Sequence, residues 1–302
     1  MSASETLCVL CGSANLDRRP AVISAFISEY ALQKPPGISA ILECLDCTML
    51  FYELRPTDQD MAKLYTGYRG EAYFKTRSKH EFWYTRRFNE SLGSEKHMPV
   101  RRRVFLDSLA RHRDLSTFAN VLDYGGDRGQ MLTEGPGKNR FVFEMSNAVP
   151  EPHIANITRK ENLVPAGYDL ILLCHVLEHL SRPADMLTEL KALLAPGGLL
   201  FIELPLDHFR ITNIPKRNWY KKYLSFLICH PLLFQLMSFY SLALRPHLSA
   251  VPPLGFAPAH EHINMFTPNA LRMCLLKGGY NVQEIFEDPR TGNLYAIAQP
   301  SN

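Results

Sequence analysis

The 302-residue sequence lacks several things at once. It has no strong charge of either sign: 33 lysines and arginines stand against 30 aspartates and glutamates, a formal net charge of +3. That is too little to argue for nucleic acid as a partner. It has no charged-then-apolar leader, because "MSASETLCVLCG" opens on small and polar residues. A cytoplasmic chain is therefore expected, in which disulfides would be unusual. No internal repeat or low-complexity segment is present, which argues against a repeat array. The G-x-G-x-x-G spacing of a dinucleotide site is also missing: counting from Gly125, its third glycine position holds Gln130. In bulk the chain is an ordinary globular one, 46% hydrophobic and 21% charged, long enough for one large domain and something smaller.

Four of the seven cysteines come in pairs, Cys8 and Cys11 in "CVLC", Cys44 and Cys47 in "CLDC". Each knuckle offers two thiolates, and four thiolates close a structural tetrahedral Zn²⁺ site. Four unmetallated thiols packed in a small core are the alternative. Cys174, Cys229 and Cys274 stand alone in apolar runs and read as small core residues.

Short strands and turns fill the chain to about residue 55, and a helical, aromatic and basic stretch follows to about Asp114. In it, Tyr65, Tyr68, Arg69 and Tyr73 are expected in a helical cap, either over a ligand or as plain packing. Arg101, Arg102, Arg103, Arg111 and Arg113 interleave with Val104, Phe105 and Leu109 at helical spacing, so they read as a solvated face over an apolar stripe. Beyond Asn120 apolar strands ("VLDYG", "FVFEMS", "YDLILLCH", "GLLFIELP") alternate with helical or loop segments, which argues for a parallel sheet. A helix with Met186, Leu187, Leu190, Leu193 and Leu194 on one stripe is expected before "PGG", with Ser181 as its N-cap. Another starts at Thr267 with Pro268 in first position and stops at Gly278. "YNVQEIF" and "LYAIAQ" then close the chain as a hairpin around "DPRTGN".

The turn "VLDYGGDRGQML" (121–132) carries Asp123, Gly125, Asp127 and Gly129. An acidic residue followed by glycines at this spacing resembles the first motif, D-x-G-x-G-x-G, of the class I S-adenosylmethionine-dependent methyltransferases. Asp127 stands where that family usually has glycine, and Gly126 supplies a small residue one place earlier. The resemblance runs on through Glu144, through "YDLILLCHVLEHLSRPADMLTELKALLAPGGLLFIELP" (168–205) and through "EHINMFTPNALRMCLLKGGYNVQEI" (261–285), the last similar to the glycan- and small-molecule-modifying branch. It implies a Rossmann-like doubly wound α/β sheet with a C-terminal antiparallel hairpin. It also implies S-adenosylmethionine as cofactor, with contacts from Asp123, Tyr124, Gly125, Gly126, Gly129, Glu144, Cys174 and His175. Glu144 would take both ribose hydroxyls, a fork geometry that suits a carboxylate. Asp127 would take the cofactor's amino group or point to solvent.

Methyl transfer chiefly needs an aligned nucleophile and a group to take its proton. His175, His179, His260 and His262 are the candidates, with strand alternation placing His260 and His262 on one side of an extended chain; anchoring a polar loop is the alternative role of that pair. "HVLEH" (175–179) also has the H-x-x-E-H spacing of a zinc peptidase, but it follows a strand and is similar to the methyltransferase fourth motif.

Between residues 223 and 244, "YLSFLICHPLLFQLMSFYSLAL" runs without a charged residue. Its length would suit a membrane span, but a span would part strands that belong to one sheet. A pair of buried lid helices is the favoured reading. A membrane-surface element with Lys216, Arg217, Lys221 and Lys222 on anionic headgroups is the alternative.

The expected organisation is a zinc ribbon (1–55), a helical cap (56–118) and a methyltransferase domain (119–302) with a lid insertion (206–258). The expected function is methyl transfer to a sugar or glycan-linked acceptor, free or lipid-linked, in polysaccharide biosynthesis. An RNA methyltransferase, or a binding protein that has lost catalysis, are the alternatives.

Overall fold

A computed structural model describes residues 7–91, 98–146 and 148–301, so residues 1–6, where a leader would begin, lie outside it. The strands in chain order are β1 (Leu16–Ile23), β2 (Ile38–Cys44), β3 (Leu50–Tyr52), β4 (Asn120–Tyr124), β5 (Asn139–Phe143) and β6 (Ala155–Ile157). There follow β7 (Tyr168–Cys174), β8 (Leu194–Pro205), β9 (Pro258–Ala259), β10 (Asn264–Met265), β11 (Tyr280–Asp288) and β12 (Asn293–Pro300). The helices are α1 (Ala25–Tyr30), α2 (Asp58–Tyr65), α3 (Glu71–His80), α4 (Arg86–Ser91) and α5 (Met98–Ala110). After them come α6 (Pro183–Leu193), α7 (Asn218–Ile228), α8 (Pro231–Leu248) and α9 (Pro268–Lys277).

The chain divides into two units. The first comprises Met1–Leu92, His179–Ser181 and Asp207–Phe266; the second comprises Gly93–Glu178, Arg182–Leu206 and Thr267–Asn302.

In the second unit the sheet order is β11-β12-β8-β7-β4-β5-β6. Strands β4 to β8 run parallel, and β12 and β11 add an antiparallel hairpin. The chain starts at β4, steps outward to β5 and β6, and returns to β7 on the other side of β4. Strand order thus reverses at β4, and the carboxyl ends of β4 and β7 are where such sheets bind ligands. β7 is buried along nearly its whole length, which is why it reads as a continuous apolar run rather than an alternating one. The fold is the expected Rossmann-like α/β one, but lean: β4 leads to β5 through a 3₁₀ turn, Gln130–Leu132, where a full helix is usual. The core gathers Phe105 and Leu109 of α5, Val121, Leu172 and Phe201. Helix α9 has the expected cap, Thr267 Oγ1 accepting from the Ala270 N–H at 3.1 Å. Ser181 is not the cap of α6: that position falls to Arg182, with Pro183 opening the helix, while the Ser181 hydroxyl bonds the Pro56 carbonyl.

In the first unit the sheet order is β10-β3-β2-β1-β9. Both its edges come from the segment between β8 and α9: β9 runs parallel to β1, and β10 antiparallel to β3. The edge N–H and C=O groups of β1 and β3 need partners, and residues 258–265 supply them. Asp207–Phe266, expected within a 119–302 domain, is therefore grouped with the N-terminal sheet. Tyr73 and Tyr84 are buried here with Phe26, Tyr52, Leu224 and Phe256, so Tyr73 packs in the core.

Candidate functional site

Three left-handed residues alternate along the turn after β4: Gly125 at φ 72°, Asp127 at φ 54° and Gly129 at φ 76°. Glycine takes that conformation freely, and aspartate is among the few other residues that tolerate it. Gly126 answers a different need. A Cβ there would fall 2.2 Å from the Asp123 carboxyl carbon, so only glycine leaves room for that side chain. It does not substitute for a glycine at 127.

Asp123, next to last in β4, is almost wholly buried, and its Oδ1 has no hydrogen-bond partner among the described residues. Burial pushes its pKa up to about 7; Arg101 opposes this, while Glu203, Glu144 and Asp127 add to it. Glu144, just past β5, turns its carboxylate onto the same turn. Its Oε2 accepts from the Asp127 N–H at 3.2 Å and its Oε1 from the Ser146 N–H at 2.8 Å. The Asp127 carboxylate is turned to its neighbour, Oδ2 lying 3.4 Å from Gln130 Nε2.

At the end of β7, Cys174 is buried and His175 is left-handed at φ 55°. His175 Nδ1 lies 3.3 Å from Glu178 and its Nε2 3.8 Å from Glu203. Burial works against its charge, but these two carboxylates win and hold its pKa at about 9. Glu203, inside apolar β8, receives Arg101 through two bonds of 2.8 Å, with Asn293 and Tyr295 also donating to it. Despite burial, His175 and Arg101 keep it well below the usual carboxylate range.

Arg101 and Arg102 therefore do not belong to a solvated face. Arg102 is buried, its Nε donating to the Gln130 carbonyl at 2.9 Å. Arg103 and Arg111 do face outward. The Tyr124 ring packs on Phe143 at 4.6 Å and lines a cavity of ≈ 360 Å³ with Lys160, Glu189, Leu190 and Leu193.

Residues 95–285 match a family model described as a methyltransferase domain. The chain belongs to the methyltransferase family. No curated protein sequence matches it. Among solved structures this methyltransferase is similar to the 1,6-didemethyltoxoflavin-N1-methyltransferase of Burkholderia thailandensis, at 16% identity over 87% of this chain and 96% of that one, TM-score 0.48. It is also similar to an S-adenosylmethionine-dependent methyltransferase of Aquifex aeolicus, at 14% identity over 69% and 95%, TM-score 0.43. A third is the magnesium protoporphyrin IX methyltransferase of Synechocystis PCC 6803, at 14% identity over 68% and 84%, TM-score 0.41.

The methyltransferase is S-adenosylmethionine-dependent, and the turn fits that cofactor by its donor and acceptor chemistry. The cofactor brings an ammonium and two vicinal hydroxyls, all donors. The turn offers an unpartnered buried carboxylate oxygen on Asp123 and, on Glu144, two oxygens that each keep a free lone pair.

In the first unit the four paired cysteines converge. Their sulfurs all lie within 4.8 Å of one another, with Cys8 to Cys47 and Cys11 to Cys44 both at 3.5 Å. Four sulfurs about 2.3 Å from a tetrahedral Zn²⁺ would lie about 3.8 Å apart, so the spacing fits that ion. Both knuckles close alike, the Gly12 N–H bonding the Cys8 carbonyl at 3.0 Å and the Thr48 N–H the Cys44 carbonyl at 2.9 Å. Gly12 and Thr48 are both left-handed, a conformation that is costly for β-branched threonine.

His260 and His262 are not on one side. A bend at Glu261 breaks the alternation and sends them to different partners. His260 Nε2 bonds Glu81, and its ring stacks on Phe26 at 5.7 Å. His262 Nδ1 bonds Asp207 at 2.8 Å, and its ring meets that of His179 at 4.8 Å. Arg77 ties the first group together: Nε donates to Glu81 at 2.9 Å and Nη1 to Glu261 at 3.2 Å and to the Tyr73 hydroxyl at 2.6 Å. Burial opposes the charge on Glu261, but Arg77 and His260 hold its pKa down at about 2.

Sequence reasoning missed Glu81, Arg77, Asp207 and Glu203. Only Glu203 left a signal, a lone carboxylate in an otherwise apolar strand.

Proposed function

We propose that this methyltransferase moves a methyl group from S-adenosylmethionine to a hydroxyl of a sugar or sugar-linked acceptor, and that His260 takes the hydroxyl proton. The carrying observation is the bond between His260 and Glu81. An imidazole held by a buried carboxylate has its ring oriented, which suits proton withdrawal from a weak acid. When bound, S-adenosylmethionine supplies a methyl group activated by its sulfonium. Asp123 would receive its ammonium and Glu144 its ribose hydroxyls; the turn residues Gly125, Gly126 and Gly129 let the backbone approach. The paired cysteines would hold one structural Zn²⁺. An RNA acceptor gains no support, since Arg101 and Arg102 are spent on internal partners.

Calorimetry and turnover assays separate the parts. Glu144→Ala is expected to weaken S-adenosylmethionine binding tenfold to a hundredfold, from losing about 1.5–3 kcal/mol of charged hydrogen bonding. His260→Ala should abolish turnover of a sugar acceptor while leaving cofactor affinity unchanged. Full turnover in His260→Ala overturns the base assignment. Wild-type protein that binds cofactor yet methylates no sugar in a panel of nucleotide- and lipid-linked acceptors overturns the acceptor class.

A further inference from the structure

Helices α7 and α8 of the first unit form an angle of 117° across a short break at Cys229 and His230. No single helix among the described residues is long and apolar enough to cross a membrane. The pair is not a buried lid either. On α8 the inward positions are Phe234, Ser238 and Ser241, with each serine hydroxyl spent on a carbonyl one turn back. Its outward positions include Leu232, 78% exposed, Leu236, 56% exposed, Phe239 and Leu248. Serine inside and leucine outside inverts the pattern of a helix that faces water. Trp219 and Phe226 on α7 are half exposed as well. Phe239 is joined by the rings of Phe82 and Trp83, 5.2 and 5.3 Å away, which broadens the apolar face.

Charge gives this face a direction. From His208 to His260 the sequence contains no aspartate or glutamate, while Arg210, Lys216, Arg217, Lys221, Lys222 and Arg245 all fall inside that stretch. Arg217, Lys221 and Lys222 are exposed at the start of α7, beside Trp219. An exposed apolar face on a stretch whose formal charges are all positive, with an indole beside the lysines, matches the chemistry of an anionic bilayer surface: acyl chains for the leucines, headgroups for the lysines.

We infer that α7 and α8 dock this methyltransferase onto a membrane surface carrying anionic lipid, lying in the interface without spanning it. The inference goes beyond the proposed acceptor chemistry and does not depend on it.

The test is flotation of the full-length protein with phosphatidylcholine vesicles, with and without phosphatidylglycerol. The protein should float with anionic vesicles at low salt, and less so as salt rises. Lys221→Gln with Lys222→Gln should lower partitioning about thirtyfold, from ~1 kcal/mol per basic residue. Leu236→Gln with Phe239→Gln should reduce flotation on both vesicle types. Neither pair should change S-adenosylmethionine affinity, because none of these side chains belongs to the glycine turn, and both variants should still unfold cooperatively. Wild-type protein that stays at the bottom of the low-salt gradient overturns the inference, as does full flotation of both double variants. Sedimentation equilibrium covers the rival occupant. A wild-type dimer that Leu236→Gln with Phe239→Gln returns to monomer, without flotation, would assign the face to a second copy of the chain.

Discussion

Arg101 and Glu203 meet as two parallel forks, Nε to Oε1 and Nη2 to Oε2, both at 2.8 Å, with the carboxylate wholly buried. The pair joins α5 to β8, next to the end of β7. Removing one partner of such a pair leaves a buried charge uncompensated, at a cost of about 3–5 kcal/mol. Arg101→Met should lose about 3 kcal/mol, the lower end, because the guanidinium is partly exposed. Arg101→Met with Glu203→Gln should recover part of that loss. Urea denaturation of the four proteins closes the cycle, and a double variant no better than Arg101→Met refutes the pairing.

Asp123 makes stability and binding respond to pH in opposite directions. Its folded pKa of about 7 lies above the ordinary aspartate value of about 3.9. The folded state therefore holds its proton more tightly, and this group's contribution to stability falls as pH rises between those values. Asp123→Asn should melt like the wild type near pH 4 and progressively higher than it up to about pH 7. Cofactor affinity should show the reverse in the wild type, rising through pH 7 as the carboxylate ionises, and should be weak and flat in Asp123→Asn. A wild-type affinity independent of pH between 6 and 8 would remove Asp123 from the cofactor site.

Asp127 holds a glycine's conformation. Asp127→Gly should keep S-adenosylmethionine affinity within about threefold, because its carboxylate is turned to Gln130. Asp127→Val should destabilise the protein by about 1–2 kcal/mol, the cost of a branched residue at a left-handed position. If Asp127→Gly loses binding while keeping its melting midpoint, the carboxylate itself is the ligand contact.

The four sulfurs in the first unit predict one equivalent of zinc by elemental analysis. Cys44→Ser should lose that metal and expose the first unit to limited proteolysis, since metal binding to such knuckles is coupled to folding. Metal-free protein with unchanged protease resistance would leave the alternative of four packed thiols.

The parallel sheet, its closing hairpin, the cap of α9 and the glycine turn were legible in the order of residues because each is encoded locally. Continuous apolar runs, a threonine before a proline, and an acid followed by glycines specify backbone geometry within a few residues. Glu144 was placed by resemblance, and its carboxylate does face the turn. What lay beyond the sequence are the partners. Arg101 finds Glu203 across 102 residues, and Glu81 finds His260 across 179. Helical spacing shows that arginines flank an apolar stripe, but not which of them turn inward. Residues 258–265 carried no sign that they complete another sheet, because edge strands are recruited by unpaired backbone groups, which every sequence has. The outward leucines of α8 belong with these. Periodicity separates the two faces of a helix, and only the packed fold decides which face the protein itself covers.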